Sequence, residues 1–316
     1  MSKINYSIVT TVYNDGFYAQ EFCNEIINSM SEYLGVSKKY IHKHIEIIII
    51  NDGSRDESLS LLKKVKKKCK PLKIVDLSRN FGQHSALSCG YKIAKGNYII
   101  RNNIDLQDPV YELPKMLDFL KRSNSDVVVG YYKKRKSNFF VKLTSFLYFM
   151  IFNFMTGLKI NPMESSLRVM SRRFINSHNE LNEKVRFPQG LDNWIGFKQS
   201  NVIIQHRKNK LESSYNFHSR LNLGIKGLIY FSDRPLIFIG IFGFLLAFIG
   251  IIYGAINIYI RFTSNYIIPG YASTICILAL GFGIQFIFMG LLGIYLGQIF
   301  REVKDRPLYI IRSIIE

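Results

Sequence analysis

Ile45-Glu46-Ile47-Ile48-Ile49-Ile50-Asn51-Asp52-Gly53-Ser54 is a β-branched run that stops at a four-residue turn sequence. It is too short for a core helix and apolar at consecutive positions, the pattern of a strand buried on both faces of a parallel sheet. Residues 8–12, 73–77, 98–101 and 126–130 repeat the pattern. Helix-like stretches at 18–34, 58–68, 85–94 and 112–120 lie between them, and this alternation predicts an α/β domain. In open sheets of that kind, ligands bind outside the carboxyl ends of the strands. Tyr13-Asn14-Asp15, Asn51-Asp52-Gly53-Ser54 and Asn103-Ile104-Asp105-Leu106-Gln107-Asp108 all fall there. Three loops are therefore expected to converge on one crevice, and their carboxylates suit a nucleotide and a metal.

The chain has 316 residues and a formal charge of +19. A field of that sign attracts phosphates and acidic lipid surfaces. Nucleic acid is disfavoured, because the basic residues are spread over several segments and no finger, zipper or RNA-binding signature occurs. Cys23, Cys69, Cys89 and Cys276 have no metal or redox spacing and read as isolated thiols in a reducing compartment. The first residues lead into a strand without a signal-peptide pattern, so membrane targeting is expected from internal segments.

Two such segments stand out. Residues 236–260 and 272–299 carry no charge, and about 25 helical residues reach roughly 37 Å, enough to cross a hydrocarbon core with some tilt. The pair is expected to form a transmembrane hairpin. Arg234 precedes it, Arg301, Lys304 and Arg306 follow it, and Arg261 lies in the connection. The positive-inside rule then places both chain ends, and with them the catalytic domain, in the cytoplasm of an inner or plasma membrane protein. Gly250 and Gly254, and Gly293 and Gly297, have the small-xxx-small spacing of closely packed membrane helices. Residues 139–155 are apolar but short and contain Lys142. Within residues 216–235, Leu221, Ile225, Leu228 and Ile229 recur at helical spacing. Both are read as interfacial helices that would hold the domain against the bilayer. The expected organisation is a catalytic domain over 1–215, an amphipathic helix over 216–235, two spans within 236–300, and a cytoplasmic tail over 301–316.

Thr11-Val12-Tyr13-Asn14-Asp15, Asn51-Asp52-Gly53-Ser54-Arg55-Asp56 and Asn103-Ile104-Asp105 resemble, in order and spacing, the loops of family 2 glycosyltransferases, the third standing at their metal-binding Asp-x-Asp. Leu77-Ser78-Arg79-Asn80-Phe81-Gly82, Asp105-Leu106-Gln107-Asp108-Pro109 and Phe231-Ser232-Asp233-Arg234-Pro235-Leu236 resemble one branch of that family. Its members load a sugar onto polyprenyl phosphate, and they include dolichol-phosphate mannose synthases and bacterial undecaprenyl-phosphate glucosyltransferases. The resemblance runs nearly the whole chain. It implies a GT-A (Rossmann-like) mixed-sheet catalytic domain and inverting transfer of a hexose from a nucleotide sugar to polyprenyl phosphate. UDP-glucose and UDP-N-acetylhexosamine are the donors it favours, and the product would serve cell-envelope glycan modification. Homo-oligomers, tetramers among them, occur in that branch, and the number of copies stays open.

Roles follow residue by residue. A nucleoside diphosphate leaving group gathers negative charge, which a divalent cation stabilises. Asp105 is the expected ligand, with the side-chain carbonyl of Gln107 second, and such hard oxygens suit Mg2+ or Mn2+. Thr11, Tyr13, Asp15, Asp52 and Asn103 are assigned to the nucleotide, and Gly82 and Gln83 to the rim of its pocket. The lipid phosphate is already anionic, so it needs cations and alignment more than a base. Arg168 matches the arginine of the family's Asp-Phe-Arg-Leu segment and is assigned to catalysis and to this phosphate. Arg135 and Lys142 are further candidates, with attraction to lipid headgroups as their other reading, and Lys208 is a candidate for the diphosphate. Trp194 is read as a packing residue. Four positions depart from the family pattern: Asn103 and Ser166 stand where it has Asp, and Leu211 and Glu212 where glycine and a basic residue are common. They keep two alternatives open, a degenerate transferase serving as a membrane scaffold and a transferase acting on another lipid or glycan. A processive polysaccharide synthase is disfavoured, since the Gln-x-x-Arg-Trp motif and additional spans are missing.

Overall fold

The computed structural model describes residues 4–133, 139–157, 161, 163–184, 188–205, 232–263 and 270–316. In chain order the first unit contains β1 (Tyr6–Val12), α1 (Ala19–Leu34), β2 (Ile45–Asn51), α2 (Ser58–Lys68), β3 (Leu72–Leu77), α3 (Gln83–Ile93), β4 (Tyr98–Arg101), α4 (Leu113–Ser123) and β5 (Val127–Tyr132). After α5 (Phe139–Thr156) come β6 (Glu164–Ser171), α6 (Arg172–Glu180), α7 (Pro188–Trp194) and β7 (Gln199–Ile204). Two long helices, α8 (Arg234–Thr263) and α9 (Tyr271–Val303), precede the last strand, β8 (Ile311–Ile315).

The strands form one eight-stranded sheet in the order β7-β5-β6-β4-β1-β2-β3-β8. Its centre, β4-β1-β2-β3, is parallel. β6 runs antiparallel to β4 and β5, and β8 antiparallel to β3. The β2 sequence explains its own burial. Ile47 and Ile49 enter one core with Phe22, Ile26 and Met30 of α1 and Leu113, Met116 and Leu117 of α4. Ile48 and Ile50 enter the other with Ala86 and Leu87 of α3 and Phe174 of α6. Successive side chains point to opposite faces, so helices on both sides demand an unbroken apolar run.

The five expected strands and four expected helices are all present, with ends shifted by a few residues. Residues 301–316, read as a tail, are corrected in part: Ile311–Ile315 is a strand of the sheet, with Val75 opposite Ile314 and Asp76 opposite Ser313. The thiols of Cys23 and Cys69, read as isolated, are both buried, and each shifts the other's pKa.

The chain divides into two units, Met1–Met150 with Leu158–Tyr215 and Pro307–Glu316, and Ile151–Gly157 with Asn216–Arg306. In the second, α8 and α9 each contain a stretch long and apolar enough to cross a membrane, Arg234–Ile260 and Ile277–Val303. The side chain of Ser232 bonds the carbonyl of Met155, and its own carbonyl accepts from the Tyr295 hydroxyl at 2.8 Å. A Cβ added at Gly250, Gly254, Gly293 or Gly297 would meet nothing within 4 Å. Close helix approach at these glycines is therefore not made among the described residues. The expected helix at 139–155 is α5; most of the one at 216–235 lies outside the described residues.

Gly90 shows how tightly α3 is seated. A Cβ there would run into Val9 Cγ1 and stand 2.7 Å from Ile50 Cδ1. Gly90→Val should push α3 off β1 and β2 and cost about 1–3 kcal/mol, read as a lower melting temperature.

Candidate active site

The three expected loops do lie at the carboxyl ends of β1, β2 and β4, and specific bonds tie them together. Asn14, at a φ of 61°, donates its N–H to Ser54 Oγ at 3.1 Å and accepts from Arg55 N at 3.0 Å. Ser54 Oγ donates to Asn51 Oδ1 at 2.5 Å, and Asn51 Nδ2 to Asp76 Oδ1 at 2.7 Å. Asp76 also receives Arg312 of β8 at 3.3 Å, and Arg312 reaches the Ser78 carbonyl at 2.6 Å. A continuous relay thus runs from the last strand to the loop after β1.

Asp52 is buried, and its two oxygens accept the N–H groups of Phe81 and Gly82 at 2.8 and 2.9 Å. It fixes the loop that opens α3. Gly53 lies against that loop at a φ of +63°, and a Cβ on it would sit 2.5 Å from Asn80 N. Burial raises the Asp52 pKa while the two N–H donors pull it down. Gln83, in the first turn of α3, donates to Asn103 Oδ1 at 3.4 Å, which brings the expected rim residue to the third loop. Tyr13 and Asp15 are exposed at the crevice, and Thr11 is half-buried beside them on β1.

In the third loop, Leu106 adopts a φ of 57°, a left-handed conformation that a branched residue holds only under constraint. That turn brings Gln107 N to Asp105 Oδ1 at 3.2 Å. Burial raises the Asp105 pKa, and the nearby Asp108 and Asp15 carboxylates add to it. A neighbouring cation would relieve a carboxylate crowded in this way. Asp108 is otherwise occupied. It is buried and accepts from Tyr132 OH at 2.5 Å, Ser165 Oγ at 2.7 Å and Ser166 Oγ at 2.6 Å. Among the described residues no group of three or more His, Cys, Asp or Glu side chains could hold a metal.

Arg168 is not at an open phosphate site. It is 2% exposed, with Nη1 paired to Asp192 Oδ2 and Nη2 to Glu164 Oε2, the latter at 3.0 Å. Burial, and then the positive charge of Arg101, lower its pKa to about 10. An interior cation on a strand is ordinarily matched to carboxylates in this way. Asp192 went unnoticed in the sequence, because its burial and its partner are both tertiary. Its neighbour Trp194 is 70% exposed, so the packing role expected for it is corrected. Arg135 and Lys208 lie outside the described residues, and Lys142 belongs to α5.

With this geometry in view, the comparisons assign the class. The profile of glycosyl transferase family 2 matches residues 7–179, and the chain belongs to that family. It is a glycosyltransferase. It is 32% identical over 311 residues to the uncharacterized glycosyltransferase YkcC of Bacillus subtilis (strain 168), covering 98% of this chain and 94% of that protein. It is 29% identical over 314 residues to the undecaprenyl-phosphate 4-deoxy-4-formamido-L-arabinose transferase of Enterobacter sp. (strain 638), covering 98% and 93%. Among solved structures, glucosyl-3-phosphoglycerate synthase from Mycobacterium tuberculosis in complex with Mn2+, uridine-diphosphate and glucosyl-3-phosphoglycerate aligns with a TM-score of 0.48 at 14% identity, over 72% of this chain and 80% of that one.

Two outcomes test the site. Asp108→Ala leaves three hydroxyls without their acceptor in a buried setting and should cost about 2–4 kcal/mol, measured by denaturant unfolding of the purified protein. His84, at the start of α3, has its pKa lowered to about 4 by burial and by the charges of Arg101 and Arg168. The unfolded imidazole titrates near 6.5, so between those values the unfolded state binds more protons and stability falls as the pH drops. His84→Gln should flatten that loss, and the melting temperatures of the two proteins should differ in slope between about pH 7 and pH 5.

Proposed function

We propose that this glycosyltransferase moves a sugar from a nucleotide sugar to undecaprenyl phosphate, with inversion at the anomeric carbon. The observation that carries the reading is the convergence of the Tyr13–Asp15, Asp52–Ser54 and Asn103–Asp108 loops at one sheet edge, in a chain that also holds two helices of membrane-spanning length. Relatives aligned over nearly the whole chain, named for transfer to undecaprenyl phosphate, support the acceptor. A UDP-linked hexose, glucose or N-acetylhexosamine, is the donor we assign.

In this reaction the loops of β1 and β2 hold the nucleotide, and Tyr13, exposed at 41%, offers a ring for the base to stack against. Asp105 and the side-chain carbonyl of Gln107 would hold Mg2+ or Mn2+. Such an ion, when bound, neutralises the charge growing on the diphosphate as the glycosidic bond breaks. Asn103 adds an amide in place of a carboxylate, so the ion keeps more of its own charge for the phosphates. The acceptor phosphate attacks as an anion and needs no base. Arg135, Lys142 and Lys208 remain the cations we assign to the lipid phosphate and the diphosphate.

Charge distribution supports one orientation. Arg301 lies in the last turn of α9, Lys304 and Arg306 follow it, and Arg234 opens α8, a pattern that favours a catalytic unit on the cytoplasmic side, where nucleotide sugars are made. α5, with Phe146, Met150, Ile151 and Phe154 exposed, is assigned to the bilayer interface, where it would meet the lipid carrier.

Release of nucleoside diphosphate by the detergent-purified protein, across a panel of nucleotide sugars, tests the reading. Release is expected only with undecaprenyl phosphate and Mg2+ or Mn2+ present, and Asp105→Asn should lower it by about a hundredfold or more while leaving membrane insertion unchanged. Full turnover by that variant would sink the metal assignment. Release that ignores the lipid would point to another acceptor.

A further inference from the structure

Arg101 closes β4, one residue before the Asn102–Asp108 loop, and is 7% exposed. Buried arginines are ordinarily matched to carboxylates, because an unmatched interior cation loses its hydration without return. Arg101 has no carboxylate partner among the described residues. Its charge acts on the buried Tyr91 phenol, whose pKa burial raises, and its Nε has no hydrogen-bond partner among the described residues.

The surroundings sharpen the anomaly. In the antiparallel register of β4 and β6, Arg101 stands directly opposite Arg168, and like charges placed so are unfavourable. The two nearby carboxylates do not relieve it: Glu164 is bonded to Arg168 and to Tyr131, and Asp192 to Arg168. Among the described residues Arg168 Nε likewise has no acceptor, and Nδ1 of His84 has no partner. The four charged side chains sum to zero, so the cluster needs no ion for neutrality. It lacks acceptor oxygens. The loop just beyond carries Asn103 where a second carboxylate would have competed for these donors.

We infer that Arg101 is a phosphate-binding residue of this chain, its guanidinium taking an oxygen of a phosphoryl group bound at the carboxyl end of β4. The inference rests on the proposed transfer reaction, which brings two phosphate-bearing ligands to this edge: the diphosphate of the donor and the monophosphate of the lipid. A guanidinium serves either, since its planar fork matches phosphate oxygens. The small opening to solvent is what such an oxygen would reach through.

The test uses the full chain in detergent, as wild type, Arg101→Met and Arg101→Lys. Methionine fills a similar volume without charge, so the ligand-free Met variant should melt at or above the wild-type temperature. Its Kd for UDP or its KM for undecaprenyl phosphate should rise by about tenfold or more, with lysine restoring part of the loss. A rise in the UDP constant alone assigns the donor diphosphate, and a rise in the lipid constant alone assigns the acceptor. Unchanged constants in a folded Met variant would overturn the inference, as would a large drop in its ligand-free melting temperature, which marks a purely structural arginine. If wild type binds neither UDP nor the lipid, the transfer reading fails by itself; inorganic pyrophosphate binding then decides on Arg101, with equal affinity in wild type and Met variant counting against it.

Discussion

Asp108 is the interaction on which the site depends. One buried carboxylate collects the hydroxyls of Tyr132, Ser165 and Ser166, and those residues lie at the end of β5 and on β6. The loop leaving the parallel half of the sheet is thereby fastened to the antiparallel half. Hydrogen bonds from hydroxyls to a carboxyl group are short and strong, and three donors on one buried acceptor are well matched. Ser166 acquires a reason in this light. The family pattern has Asp at that position, which would set a second carboxylate against Asp108, whereas a serine donates to it. A departure that looked like decay in the sequence is a working bond in the fold.

The electrostatics of the crevice are divided between two sides. Asp15, Asp105 and Asp108 crowd one side, and burial and mutual repulsion hold Asp105 toward protonation. Arg101, Arg168 and a neutral His84 occupy the other. This separation is consistent with the overall charge of +19, most of which is spread over the surface and has no part in the site.

The parallel centre of the sheet was legible because burial on both faces writes itself as consecutive Ile and Val. The rest was written less openly. β6 reads Glu164-Ser165-Ser166-Leu167-Arg168-Val169-Met170-Ser171, and its polar residues pair with Asp108, Asp192 and Glu164 inside the protein, which no local pattern announces. β8 follows a membrane helix and is exposed along most of its length, so it resembled a tail. The loops at the strand ends were found from turn chemistry and family likeness together. The internal partners of Arg168, and Asp192 above all, were not, since a salt bridge across 24 residues leaves no trace in spacing.

β8 lies beyond both long helices in the chain, yet it is the neighbour of β3 and the origin of the relay through Asp76 and Asn51 to Ser54. During synthesis the ribosome must produce the whole hydrophobic hairpin before this edge can be closed. Until then β3 offers an unpaired backbone, a surface prone to mispairing, and Asp76 has not met its arginine. Completion of the Asn51–Ser54 loop is therefore ordered behind production of the two long apolar helices, so that a chain interrupted before them would also be a chain with that loop unfinished.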